Sequence, residues 1–157
     1  MQKIFQNKRS MAEVKLNLGC GKDYRKDFIN VDSDKPADVL HNLNTFPYPF
    51  KENSVDFILA SHIVEHLKDP ELALKEMNRI LKKGGILEIK VPHYKSKGAY
   101  CTFGHRGFYH EEAINSITNI KDESNDLPKF KHIITKIKRG RFLKWQKREI
   151  TWIVQKV

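Results

Sequence analysis

Residues 54–92 hold the arrangement that most restricts what this chain can become. "SVDFILA", 54–60, is apolar on both faces in the way a central parallel strand is. "DPELALKEMNRILKKGG" follows with helical periodicity, and "ILEIKVP", 86–92, is another apolar strand. In the helix Asp69 is placed to cap, Pro70 suits the first helical position, and Ala73, Met77, Ile80 and Leu81 recur on one side. Lys82 and Lys83 favour its negative C-terminal end, and Gly84 supplies a left-handed cap. A strand, a helix and a parallel strand of these lengths join by a right-handed crossover in nearly all sheets. The expected class is therefore α/β.

The 157 residues suffice for a single domain with one core. No stretch approaches the roughly 18 consecutive apolar residues that span a bilayer, and "MQKIFQNKRSMAEVK" has no apolar secretory core. Cys20 and Cys101 are the only cysteines and form no C-x-x-C pair. A reducing cytoplasm and no membrane association are expected, and a cysteine-based zinc site is excluded.

Upstream of the crossover, "VKLNLGCG" from Val14 is a strand that empties into Gly19-Cys20-Gly21. Glycines there let a ligand approach the backbone closely. "FINVD" is a second strand ending in Asp32, an acid placed to accept hydrogen bonds from both hydroxyls of a ribose; taken alone it reads more readily as a loop acid or helix cap. "ADVLHNLNTFPYPF" supplies a third apolar patch, halted by Pro47 and Pro49. A dinucleotide fingerprint would require glycine near Tyr24, and a phosphate loop would require G-K-[ST]; neither is present. Residues 22–30 are too few for a helix of about three turns with its connections.

Taken in order, "LNLGCG", "FINVD", "ADVLHNL" and the whole stretch 46–92 resemble the class I S-adenosylmethionine-dependent methyltransferases, specifically the type 11 group. The resemblance covers roughly residues 14–93. It implies a Rossmann-like, mostly parallel seven-stranded sheet with a C-terminal antiparallel strand pair, the first inter-strand helix being short or absent here. It also implies S-adenosyl-L-methionine as cofactor. Gly19, Cys20 and Gly21 would line its methionine portion and ribose, and Asp32 would hold the ribose hydroxyls. Asn42 and Leu43 would meet adenine, with Asn42 standing where the family has an acid. Ser61 and His62 would lie near the reactive methyl. The implied activity is methyl transfer to an unidentified acceptor; a cofactor-binding scaffold without turnover is the alternative.

His62-Ile-Val-Glu65-His66 also matches the inverted zinc-protease pattern H-x-x-E-H. That pattern needs a long helix, which Asp69-Pro70 interrupts, so no metal is expected. His62 and His66 are instead candidate catalytic residues, against a purely structural role. His93, Tyr94, His105 and Arg106 fall in the loop after the fifth strand, at the sheet edge where open α/β folds bind ligands, and are candidates for holding the acceptor.

The formal charge of +10 is local. Residues 129–157 carry ten Lys/Arg against Glu149 alone, whereas residues 1–128 carry nineteen against eighteen acids. This tail reads as two strands, 131–138 and 147–157, forming a basic hairpin. Its bases are either a solvated edge or, with Phe142, Trp145 and Trp152 among them, a surface for RNA or another polyanion. The domain thus divides into an extension (1–13), a cofactor-binding core (14–93), a substrate-side loop and helix (94–128) and the basic strand pair (129–157). The missing helix leaves one sheet face to be covered by residues 1–13 or by a homodimer partner.

Overall fold

The computed structural model describes residues 13–119, 126–140 and 147–157. Seven strands are present: β1 (Lys15–Leu18), β2 (Ile29–Asp32), β3 (Val39–Leu40), β4 (Val55–Ser61), β5 (Leu81–Pro92), β6 (Phe130–Arg139) and β7 (Lys147–Lys156). They form one sheet in the order β3-β2-β1-β4-β5-β7-β6. β7 lies antiparallel between β5 and β6, while β1 to β5 pair in parallel. Among the described residues no helix is long and apolar enough to cross a membrane.

The crossover forms as its sequence dictates. Helix α1 (Pro70–Ile80) begins where the Asp69 carboxylate accepts the Leu72 amide at 2.8 Å, and it buries Ala73, Met77 and Ile80. These meet Leu16, Leu18, Ile58, Ala60, Leu87, Ile89, Trp152 and Val154 in the core on one sheet face. Ile114 and Ile117 close the same core from a 3-10 turn (Glu111–Ile114) and the short helix α2 (Asn115–Thr118).

The helix ends earlier than its periodicity suggests. Leu81, fully buried, pairs with Val55 as the first residue of β5, and Lys82 reaches Asp56 at 2.7 and 2.8 Å. Strand pairing and this ion pair replace a last helical turn. Gly84 is left-handed (φ 80°), but it bends the start of β5 rather than capping α1.

No helix joins β1 to β2, and the sheet has adapted to its absence. Asn17 and Asn30 are register partners. By strand alternation they point away from the α1 face, and they are 1% and 0% exposed. The Asn17 amide donates to Asp23 O (2.7 Å) and to Asn30 Oδ1 (3.1 Å), while Asn30 exchanges hydrogen bonds with the Arg25 backbone (2.9 Å each way). Where a helix would rest apolar side chains, this sheet presents amides that satisfy the backbone of a loop. Phe28 at the end of that loop packs edge-to-face on Phe57, with centroids 5.9 Å apart. This covers part of the face that the sequence leaves bare; residues 1–12 lie outside the described part of the chain.

A second loop, 41–54, also lacks a helix and is held by α1. Glu76 accepts the Tyr48 amide at 2.7 Å, and Arg79 donates to the carbonyls of Phe50 and Tyr48 at 3.0 Å each while pairing with Glu76. Arg79, ahead of backbone hydrogen bonding, holds the Glu76 carboxyl below its ordinary value of 4.5. The sign follows: the stabilisation is present above the ordinary carboxylate range and is lost as pH falls through the lowered native value. Glu76→Gln should cost about 1–3 kcal/mol at neutral pH. Urea denaturation across pH should show the gap between wild type and variant shrinking in acid.

Candidate functional site

Two adjoining depressions lie at the carboxyl ends of β1, β2, β4 and β5, separated by the turn that leaves β4. The first is lined by Gly19, Asp32, Ser33, His41, Asn42, Leu43, Asn44, Ile63, His66 and Leu67. The second is lined by His62, Glu65, His66, Pro92, Gly98, Thr102, His105, Lys138, Arg148 and Glu149. His66 belongs to both.

In the first cleft, Gly19 and Gly21 are left-handed, with φ of 68° and 49°. A Cβ on Gly19 would lie 2.5 Å from Ile63 Cγ1, whereas one on Gly21 would meet nothing within 4 Å. Close approach therefore explains Gly19 through its packing on the β4 turn, and backbone conformation alone explains Gly21. The loop is pinned by Gly19 and Cys20 amides donating to Val31 O (2.8 and 3.1 Å) and by the Gly21 amide donating to Asp32 Oδ2 (2.8 Å). Cys20, expected to line the cofactor with its two glycines, is buried, and its side chain does not line the cleft. Burial, then Asp32, pushes its thiol up from the ordinary value. Gly21 and Ser61 are likewise not on the cleft wall.

Asn42 and Leu43 reach this cleft because loop 41–54 is anchored. Asn42 Oδ1 accepts the Asn44 amide (3.0 Å), Asn44 Oδ1 accepts the Lys68 amide (2.7 Å), and the buried Tyr48 hydroxyl donates to Leu43 O (3.1 Å). Sequence reasoning missed Ile63, His41 and Asn44. An apolar residue in a histidine-rich turn carries no chemical signal, and the last two lie beside residues already singled out.

In the second pocket His62 is left-handed (φ 55°), a conformation uncommon outside glycine. Its Nε2 meets Glu149 Oε2 at 2.8 Å, and its Nδ1 stands 3.4 Å from Glu65 Oε1, a charge contact beyond hydrogen-bond geometry. Glu65 first, and then Glu149, raise the His62 pKa above the ordinary 6.5 against the opposing effect of burial. Raising it favours the imidazolium, so His62 suits holding an anion better than accepting a proton.

His66 Nδ1 lies 3.1 Å from Gly104 O, and His105 Nδ1 lies 2.9 Å from Ala99 O. The two rings meet edge to face, with centroids 4.6 Å apart. Of the four predicted acceptor residues His93, Tyr94, His105 and Arg106, His105 alone lines this pocket. Arg106 contributes its backbone, donating to Glu65 O at 2.7 Å. His93 corrects the expectation outright: it is fully buried, its Nδ1 accepts the Lys95 amide (3.0 Å), and its Nε2 therefore donates to Glu111 (2.8 Å). Tyr94 packs its ring at a tilt against His93 and His110, away from both depressions.

The residues that complete the pocket, Lys138, Arg148 and Glu149, come from β6 and β7. Glu149 had a readable signal as the single acid among ten bases. Trp152 corrects the reading of an aromatic, polyanion-facing tail. It is buried on the α1 face with Nε1 donating to Glu111 O at 3.0 Å, so it offers no stacking surface. Phe142 and Trp145 lie outside the described residues.

A parallel sheet with one reversed strand near its end, a glycine loop after β1 and an acid closing β2 define the class I methyltransferase fold. Residues 16–89, a little under half of the chain, match the family described as "Methyltransferase domain". A demethylmenaquinone methyltransferase of Staphylococcus aureus is 32% identical over 71 residues, which take in 43% of this chain and 30% of that protein. The match thus spans under a third of the curated relative. Among solved structures, a SAM-dependent methyltransferase from Archaeoglobus fulgidus superposes with a TM-score of 0.66 at 16% identity, covering 92% of this chain and 86% of that one. The N-methyltransferase NodS from Bradyrhizobium japonicum, in complex with S-adenosylhomocysteine, gives 0.61 at 12% identity over 92% and 78%.

The two glycines should separate experimentally. Gly19→Ala combines about 1–2 kcal/mol of left-handed strain with overlap on Ile63, whereas Gly21→Ala carries only the strain. Chemical denaturation should rank Gly19→Ala as clearly the more destabilised.

Proposed function

We propose that this chain binds S-adenosylmethionine in the cleft between its glycine loop and Leu43, and transfers the methyl group to an acceptor in the neighbouring pocket. The observation that carries this reading is the shared wall: His66 lines both depressions, so cofactor and acceptor would meet across the β4 turn. The cleft residues fit the cofactor. Asp32 Oδ2 is occupied by the Gly21 amide, while Oδ1 has only long contacts of 3.3 and 3.4 Å, leaving acceptor capacity for ribose hydroxyls. Asn42 and Leu43 would border the adenine, with the Gly19 backbone bordering the ribose and methionine portion.

The cofactor would supply a sulfonium-bound methyl for in-line displacement, in which alignment contributes much of the rate. The chain's part is orientation. Lys138 and Arg148 give the pocket two cationic groups beside His62, whose protonated form is favoured by its neighbouring carboxylates, and its volume of about 380 Å³ suits a small polar acceptor bearing an anionic group. Titration calorimetry with S-adenosylmethionine should give one site on the wild type, weakened at least about tenfold in Asp32→Ala. No heat from the wild type, or an unaffected variant, would overturn the binding claim. Transfer of labelled methyl from cofactor into a cell extract, fractionated into metabolites, RNA and protein, tests turnover and the acceptor class together.

Partners and setting follow from the rest of the surface. Lys131, Lys136 and Lys138 share the face opposite α1 through their pairing with Gln155, Thr151 and Glu149, and all three are exposed. This stripe supports contact with RNA or another polyanion. Half-buried Ile86 and Ile153 with exposed Ile134 on the same face support a homodimer, and two unpaired cysteines suit the cytoplasm. RNA affinity that ignores both added salt and the Lys131→Ala/Lys136→Ala change would dismiss the polyanion contact; the expected response is weakening by both.

A further inference from the structure

Glu65 is an anomaly that methyl transfer does not explain. It is 1% exposed, and among the described residues neither of its carboxylate oxygens has a hydrogen-bond partner. Leaving a buried carboxylate in that condition is costly unless something neutralises it. His62 offers only the 3.4 Å charge contact and is itself committed to Glu149. Beside the carboxylate stand His66 and His105, and one ligand atom from each of the three residues can be chosen so that all lie within 4.8 Å of one another.

The histidines are prepared in a particular way. Each places Nδ1 against a backbone carbonyl, Gly104 O for His66 and Ala99 O for His105. A carbonyl only accepts, so Nδ1 carries the proton and the Nε2 lone pair is left free. This is the arrangement found behind metal-bound imidazoles. The loop is also fitted tightly to this turn: Arg106 and Gly107 amides donate to Glu65 O, and a Cβ on Gly104 would stand 3.3 Å from His66 Nδ1.

We propose that Glu65, His66 and His105 form a three-ligand site for a borderline divalent cation of the Zn²⁺ class. Two imidazoles and a carboxylate suit that class, and three protein ligands leave a coordination position open towards the pocket. Bonds of about 2.1 Å in tetrahedral geometry place ligand atoms about 3.4 Å apart, so ion binding draws the loop carrying His105 slightly inward. This site is distinct from the H-x-x-E-H protease pattern: His62 is not a ligand, and the third residue comes from a loop 39 positions beyond His66. It stands independently of the transferase reading, because uptake is measured without cofactor.

The test uses the full chain, stripped with a chelator and titrated with Zn²⁺ and, in parallel, Co²⁺. One ion per chain is expected, with affinity reduced at least about tenfold in His105→Ala and in Glu65→Gln and unchanged in His132→Ala, an exposed histidine on β6. Co²⁺-loaded wild type should show the intense visible bands of four- or five-coordination, a readout that needs no variant to fold. No stoichiometric uptake, uptake indifferent to both ligand substitutions in variants with native circular dichroism, or only weak octahedral bands would overturn the site.

Discussion

The parallel pairing of β1 with β4 is the constraint on which the rest of this molecule depends. Leu18 lies beside Ala60, so both strands end at the same level and the two chains that leave them must turn side by side. Gly19 and Ile63 meet there with no room for a side chain on the glycine. The first cleft lies on one side of that contact and the second pocket on the other, with His66 bordering each. A shift of one residue in the pairing would exchange the two faces of β1, placing Leu16 and Leu18 where Asn17 now serves the loop.

Reduction of the fold is possible because hydrogen bonding takes over from apolar packing. Asn17 and Asn30 hold the loop that stands where a helix would lie between β1 and β2, and Glu76 with Arg79 hold the loop between β3 and β4. In both places side chains projecting from regular elements satisfy the backbone of irregular ones. Polar pairs of this kind, buried at Asn17 and Asn30 and half-buried at Glu76 and Arg79, favour one arrangement, because alternatives leave donors or acceptors without partners. The glycine loop and Asn42-Leu43 are positioned through these supports.

The second pocket draws its residues from four separate stretches: the β4 turn, the end of β5 with the loop after it, β6 and β7. Its charges are mixed, with two carboxylates among the cations, and the geometry sorts them. Glu149 engages His62, whereas Glu65 faces His66 and His105. That sorting gives the two histidines of one short turn different surroundings: His62 lies between two carboxylates, and His66 sets its Nδ1 against the Gly104 carbonyl.

The sequence by itself determined the strand–helix–strand crossover, the glycine turn, the acid closing β2 and the lack of a helix before β2. Each of these rests on local chemistry: periodicity, left-handed backbone, or a segment too short for a helix. Tertiary structure decided which histidines matter. His93 and His105 occupy the same loop and look equivalent in the sequence, but one is enclosed and bonded to Glu111 while the other lines the pocket. It likewise decided that Trp152 is core and that Glu149 belongs to the site. The physical reason is that β7 inserts antiparallel between β5 and β6, which turns alternate residues of the tail inward and brings position 149 beside position 62; no local pattern encodes a contact across 87 residues.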